Sequence, residues 1–229
     1  MSLHWTPARL PVRTVLEGEL VRLEPLDAQA HAADLYAAQE GADEIWEYLP
    51  YGPFSGEAEF QGWLAARAAT DDPLFFAIVD GATGRALGMA SFLRITPEHG
   101  VIEVGHIWYS PALQRTRHAT EAMYVMARHV FDELGYRRYE WKCNALNEPS
   151  RRAALRLGFT YEGVFRQHMV VKDQNRDTTW YSMLDSKWPA AKAAFEAWLR
   201  PDNFDSGGRQ LRGLAELRMV SSGRGLVQG

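Results

Sequence analysis

Residues Val101 to Gly135 read VIEVGHIWYSPALQRTRHATEAMYVMARHVFDELG, and the fold turns on how this run divides. Val101 to Ser110 is rich in β-branched and aromatic side chains and runs into Pro111, which predicts a buried strand that must stop there. Beyond a short turn, Ala119, Ala122, Met123, Met126, Ala127, Val130, Phe131 and Leu134 recur at helical spacing, so they share one face of a helix. Gly135 supplies the left-handed stop. A strand that feeds through a tight turn into a helix leaves N–H groups unpaired at the helix start, with the positive end of the helix dipole behind them. Such a place suits a phosphate or another anion.

Reading outward, Lys142 to Gly163 runs KCNALNEPSRRAALRLGFTYEG. Asn147 is the expected N-cap of a second helix, Pro149 sits in its first turn where a missing N–H costs nothing, and Gly158 ends it. Upstream, Gly18 to Leu26 predicts a strand closed by Pro25, Asp27 starts a helix over Ala28 to Gln39, and Ser55 caps another over Glu57 to Ala69. Pro73 to Asp80 and Ala86 to Ile95 form a hairpin through the loop Gly81-Ala82-Thr83-Gly84. Tyr139 to Cys143 is a further strand, Val164 to Lys172 and Thr178 to Leu184 make a hairpin around Asp173 to Arg176, and Trp188 to Leu199 is helical. Residues 1–15 are an irregular extension. Residues 201–229, glycine-rich and poor in large apolar side chains, predict a second extension that adds little to the core.

A chain of 229 residues with 46% hydrophobic and 24% charged side chains has the profile of one soluble domain with extensions. No apolar run approaches a membrane span, and the first residues lack the apolar segment of a secretory signal, so a cytoplasmic location is expected. The single Cys143 agrees and reads as packing. A formal charge of −4 speaks against nonspecific nucleic-acid binding and suits a basic or amine-bearing partner better. No HExxH or paired-cysteine spacing is present, so no metal is expected.

The turn Gln114-Arg115-Thr116-Arg117-His118-Ala119 resembles the acyl-coenzyme-A loop of the GNAT acetyltransferase superfamily, Gln/Arg-x-x-Gly-x-Gly/Ala, with Arg117 where the family has its central glycine. Roughly thirty residues on, Asn147 and Ser150, then Gly158-Phe159 and Glu162-Gly163, resemble the family's second motif in the right order. The resemblance runs from about Leu16 to Leu184 and is closest to the branch that includes the ribosomal-protein N-terminal acetyltransferases, RimJ and RimL. It implies an α/β fold over 16–200: a mixed, mostly antiparallel sheet of about seven strands with helices on both faces. It implies acetyl-CoA as co-substrate and a primary amine as acceptor, at a protein N-terminus or on a small molecule. It also implies a homodimer.

By the same resemblance the coenzyme would lie along the strand at Ile107, Trp108 and Tyr109, over the loop at Gln114, Arg115, Arg117, His118, Ala119 and Thr120, and beside Asn147 and Arg151. Ser150 would be the proton donor to the departing thiolate. For the base, Glu103 is the first candidate, because a charge inside an apolar strand needs either a partner or a wet cleft. His106, with an ordinary pKa near working pH, is the second. The stretch IWEYLPYGPF, Ile45 to Phe54, reads as a stiff loop whose rings cannot all face water; Trp46, Tyr48, Tyr51 and Phe54 are expected either to cover the core edge or to wall the acceptor cleft. An acyl-coenzyme-A sensor or scaffold without turnover is the competing function.

Overall fold

The computed structural model describes residues 4–224. Eight strands make one sheet: β1 (Leu16–Glu17), β2 (Val21–Pro25), β3 (Leu74–Asp80), β4 (Ala86–Thr96), β5 (Val101–Tyr109), β6 (Arg138–Asn144), β7 (Thr160–Val171) and β8 (Gln174–Leu184). Their spatial order is β1-β2-β3-β4-β5-β6-β8-β7. Every neighbouring pair is antiparallel except β5 and β6. The expected mixed sheet is therefore present with one strand more than about seven, since the two-residue β1 folds back on β2. The last hairpin is longer than expected. Its turn is Lys172-Asp173 alone, both left-handed at φ 49° and 59°, so Gln174 to Arg176 pair with β7 instead of looping.

Alternation along β3 splits the interior into two cores. Leu74, Phe76 and Ile78 join the core that holds α3 (Arg117–Arg128), α4 (Glu148–Leu157) and α5 (Trp188–Leu199), whereas Phe75, Ala77 and Val79 face α1 (Ala28–Gln39) and α2 (Glu57–Ala68). Helices thus cover both faces. The starts of α1 and α4 follow the expected chemistry: Asp27 accepts from the N–H groups of Gln29 and Ala30, and Asn147 from that of Ser150. Ser55 does not cap α2. Gly56 occupies that position, and the Ser55 hydroxyl and N–H both bond Glu59.

Two expectations are corrected by packing. α3 presents more than one apolar face, because all residues from Ala119 to Ala127 are buried. Its polar members have partners: Glu121 accepts from the N–H groups of Glu19, Leu20 and Val21, and Tyr124 donates to Glu196. The cover on its outer side comes from α5, and the region after it is not peripheral. Residues 201–224 turn back through buried Asn203 into α6 (Leu214–Arg224), where Leu214 and Leu217 complete the first core. Burying two such leucines contributes several kcal/mol, on the order of 1.5–3 each. Composition concealed this because a few well-placed leucines suffice. At the other end, residues after Leu3 pack on the β4–β5 turn, with Trp5 donating to the Glu98 carbonyl and Ala8 and Arg9 donating to the carbonyls of Pro97 and Leu134.

Candidate active site

β5 and β6 pair only from Val101↔Arg138 to Val104↔Trp141. Beyond that point β5 stays with β4 as far as Tyr109, and β6 stays with β8 as far as Asn144, so a wedge opens between them. Ile107, Trp108 and Tyr109 stand on its β5 edge, where main-chain groups have no strand partner on the wedge side. The divergence coincides with a bulge: Met89 faces Trp108 but Ser91 faces Gly105, leaving His106 and Ile107 opposite Ala90. His106 takes φ 51° there, a left-handed conformation that costs a non-glycine residue on the order of 1 kcal/mol or more. Around it the side chains sort by face. Trp108 is buried among the α1–α2 aromatics, so only its main chain borders the wedge, and the buried Tyr109 hydroxyl has no partner among the described residues.

At the end of the wedge the chain turns into α3. Thr116 is the N-cap, its hydroxyl accepting from the Ala119 N–H, and the left-handed position of the turn falls on Arg115 at φ 60°, not on Arg117. The side chains expected to hold phosphates are mostly engaged elsewhere. Gln114 donates to the Tyr109 carbonyl at 3.1 Å, His118 meets Asp80 at 3.2 Å, and Thr120 accepts from Arg156 at 3.2 Å. Arg117 is engaged as well. It donates to the Leu199 carbonyl at 2.7 Å and its guanidinium lies 4.4 Å from the Phe204 ring centre, so it ties the helix start to the C-terminal segment. Arg115 is exposed and remains the loop cation able to reach an anion. On the opposite wall, Ser150 accepts from the Trp141 indole at 3.0 Å and keeps its own proton to donate. Asn147 is spent on its cap, and Arg151 donates to the Ala145 carbonyl.

Across the sheet, the loop from Ile45 to Phe54 wraps the second core. Trp46 is buried in its centre, with Phe54 edge-on at 5.3 Å and Trp108 at 5.1 Å, and a side chain at Gly52, which has φ +65°, would strike its ring. Tyr48 is half-buried with its hydroxyl on Glu47. Of the four expected wall residues, Tyr51 is the one that reaches the bulge: its hydroxyl lies 2.9 Å from His106 Nδ1. Burial, helped by Arg67, Arg94 and Arg176, lowers the His106 pKa to about 4, so the ring is neutral at pH 7. Glu103 has found partners instead of a wet cleft. It is 4% exposed and bonds Arg94 at 2.7 Å and Lys142 at 2.8 Å. Lys142 also bonds Glu140 and lies 3.7 Å from the Trp180 ring centre.

A family model for the acetyltransferase (GNAT) domain matches residues 21–160. The chain belongs to the GNAT acetyltransferase family. It is 52% identical to a GCN5-related N-acetyltransferase from Brucella melitensis, covering 94% of this chain and 99% of that one, with a TM-score of 0.92. It is also 30% identical over 102 residues to the ribosomal-protein-serine acetyltransferase of Escherichia coli K12, a match that covers 44% of this chain and 56% of that protein. RimL, a ribosomal L7/L12 alpha-N-protein acetyltransferase, shares the fold at a TM-score of 0.65 and 18% identity, covering 75% of this chain and 94% of that one.

The wedge, the bulge and the α3 start bring together polar groups that are left without partners. The β5 edge offers unpaired main-chain groups, the first-turn N–H groups of Arg117 and His118 have no acceptor among the described residues, and Tyr109 leaves a buried hydroxyl unpartnered. Among the described residues there is no cluster of three or more His, Cys, Asp or Glu placed to hold a metal, and no helix long and apolar enough to cross a membrane. Sequence reading missed Arg67, Arg94, Arg176 and Lys142. Each owes its place to a pairing between distant strands or helices, and the only local hint was a charge inside an apolar strand pattern.

Proposed function

We propose that this chain is an acetyl-CoA-dependent N-acetyltransferase that acts on a primary amine, of a protein N-terminus or a small molecule, by direct attack. The observation that carries the reading is the neutral His106 on a strained bulge at the mouth of the β5–β6 wedge. Acetyl-CoA supplies the acetyl group as a thioester. Its pantetheine would run along Ile107 to Tyr109, and its pyrophosphate would sit at the N-terminus of α3 within reach of Arg115. The N–H groups of the β5 edge polarise the carbonyl.

As the amine nitrogen bonds to the carbonyl carbon and the carbon–sulfur bond breaks, one proton must leave nitrogen and one must reach sulfur. His106 Nε2 takes the first when Nδ1–H donates to the Tyr51 hydroxyl, the tautomer that frees the Nε2 lone pair. Ser150 donates the second. Glu103, held in two ion pairs, positions the strand beside His106 and takes no proton. Release of free thiol on mixing the protein with acetyl-CoA and a panel of peptides and small amines, with acetylated products read by mass spectrometry, tests the reading. Coenzyme binding without thiol release in any mixture would make the chain a sensor or scaffold instead.

A further inference from the structure

The chain as a whole is acidic, at −4, yet Arg67, Arg94 and Arg176 all act on His106. Arg67 projects from α2 with its guanidinium 5.9 Å from the ring centre of Tyr51, the residue that bonds His106. It stacks on Trp63 as well and has no carboxylate partner among the described residues. Arg94 comes from β4, and its side chain is half exposed although one nitrogen bonds Glu103. Arg176 comes from β8, where its side chain donates to the Thr178 hydroxyl and feels the charge of Glu103 without an ion pair among the described residues. At the tip of the β7–β8 hairpin, Lys172 donates to the Trp46 carbonyl at 2.9 Å and so draws that hairpin onto the aromatic loop. Carboxylates nearby are already taken. Glu103 and Glu140 share Lys142, and Asp72 accepts from the N–H groups of Arg94 and Ile95.

Three arginines from three separate elements therefore bring positive charge to His106, and two of them, Arg67 and Arg176, make no ion pair among the described residues. Leaving such charges close together raises the energy of the free protein, and an incoming anion relieves it. We propose that the acceptor carries a carboxylate within a residue or so of its amine, held by Arg67 and Arg176 while the amine faces His106. This rests on the acetyltransferase reading. It reverses the partner expected from net charge, because the local field and not the sum over the surface meets the substrate.

The test compares peptides that share one N-terminal residue and carry Asp-Asp, Asn-Asn or Lys-Lys after it, together with free aspartate and its diamide to separate a peptide acceptor from a small one. The Asp-Asp peptide or aspartate should exceed its Lys-Lys or diamide counterpart by at least about tenfold in kcat/KM, and added salt should shrink the ratio. Arg67→Glu, on a half-buried helix residue, should abolish or invert the order, and Arg176→Gln should weaken it, while coenzyme affinity stays within about twofold in both. A second readout does not need turnover: pre-acetylated Asp-Asp peptide should bind the protein with coenzyme A more tightly than pre-acetylated Lys-Lys peptide by calorimetry. Equal rates and equal binding across the series, or a preference for Lys-Lys, overturn the inference and leave the acetyltransferase reading standing. Preferential binding of the acidic product with no turnover of any acceptor supports the charge preference and sinks the enzyme.

Discussion

Between β5 and β6 the groove is edged by main chain, whereas on the other side of the bulge the proposed acceptor mouth is built from side chains of α2, β4, β8 and the aromatic loop. In the first region Gln114, Arg117 and His118 are turned to structural partners, and what faces the groove is N–H groups and a helix start. In the second, every relevant feature is a side-chain contact: Tyr51 to His106, Arg67 over Tyr51, Arg94 to Glu103. The main-chain region tolerates substitution so long as the turn forms. In the side-chain region an exchange at the proposed base itself should change the chemistry. The bulge at His106 joins the two, since it splays β5 from β6 and turns an imidazole toward the aromatics.

The largest effect should come from the joint itself. His106→Gln keeps a hydrogen-bonding partner for Tyr51 but removes the base, so turnover should fall about 10²–10⁴-fold with coenzyme affinity nearly unchanged. The same variant should alter acid stability. A neutral folded histidine with a pKa of about 4, against about 6.5 when unfolded, means that the unfolded chain binds more protons in between. The contribution is full above about pH 6.5 and is lost as pH falls through about 4, so denaturation at pH 7 and pH 5 should differ by on the order of 1 kcal/mol more in the parent than in the variant. Normal turnover by His106→Gln would move the proton to water and dissolve the distinction between the two regions.

Glu103→Gln comes next. Glu103 lies in the strand pattern where a base was expected, but its two ion pairs make it a support. Removing its charge leaves Arg94 without a carboxylate partner and Lys142 with Glu140 as its remaining ion pair, so stability should drop by about 2–4 kcal/mol. Turnover at a temperature where the variant is folded should stay within about fivefold. A loss of a hundredfold or more in a fully folded variant would return the base to Glu103.

What was legible in the sequence follows the same division. The helix starts at Asp27 and Asn147, the stop at Gly158 and the strand over Val101 to Tyr109 are local, and each was readable from a few adjacent residues. The wedge was readable only through resemblance, because it depends on where two strands part. The aromatic loop was half legible: its composition excluded a solvent-facing role but could not separate Trp46, a core residue, from Tyr51, which touches His106. Nothing local marked Leu214 and Leu217 as core or joined Arg67 to Arg94 and Arg176, since those placements are settled by tertiary packing over long stretches of chain.

Arg117 gives the smallest effect on ligand binding and the sharpest test of the main-chain region. A glycine there would be free to take positive φ, but in this chain the left-handed residue is Arg115, and Arg117 begins the helix with an ordinary backbone. Its side chain is committed to Leu199 and Phe204, away from any phosphate at the helix start. Arg117→Gly therefore removes a charge-assisted bond worth roughly 1.5–3 kcal/mol and a cation–π contact worth about 0.5–2, which should lower stability by about 2 kcal/mol after partial relaxation. Coenzyme A affinity by calorimetry should change by no more than about tenfold, or 1.4 kcal/mol, because the N–H groups and the dipole are still in place. The two readouts separate the possibilities. Lost stability with retained affinity means that the arginine fastens the C-terminal segment to a site made of main chain. A hundredfold loss of affinity at unchanged stability means that the guanidinium turns to the phosphates on binding, and the donor groove then depends on side chains as much as the acceptor mouth does.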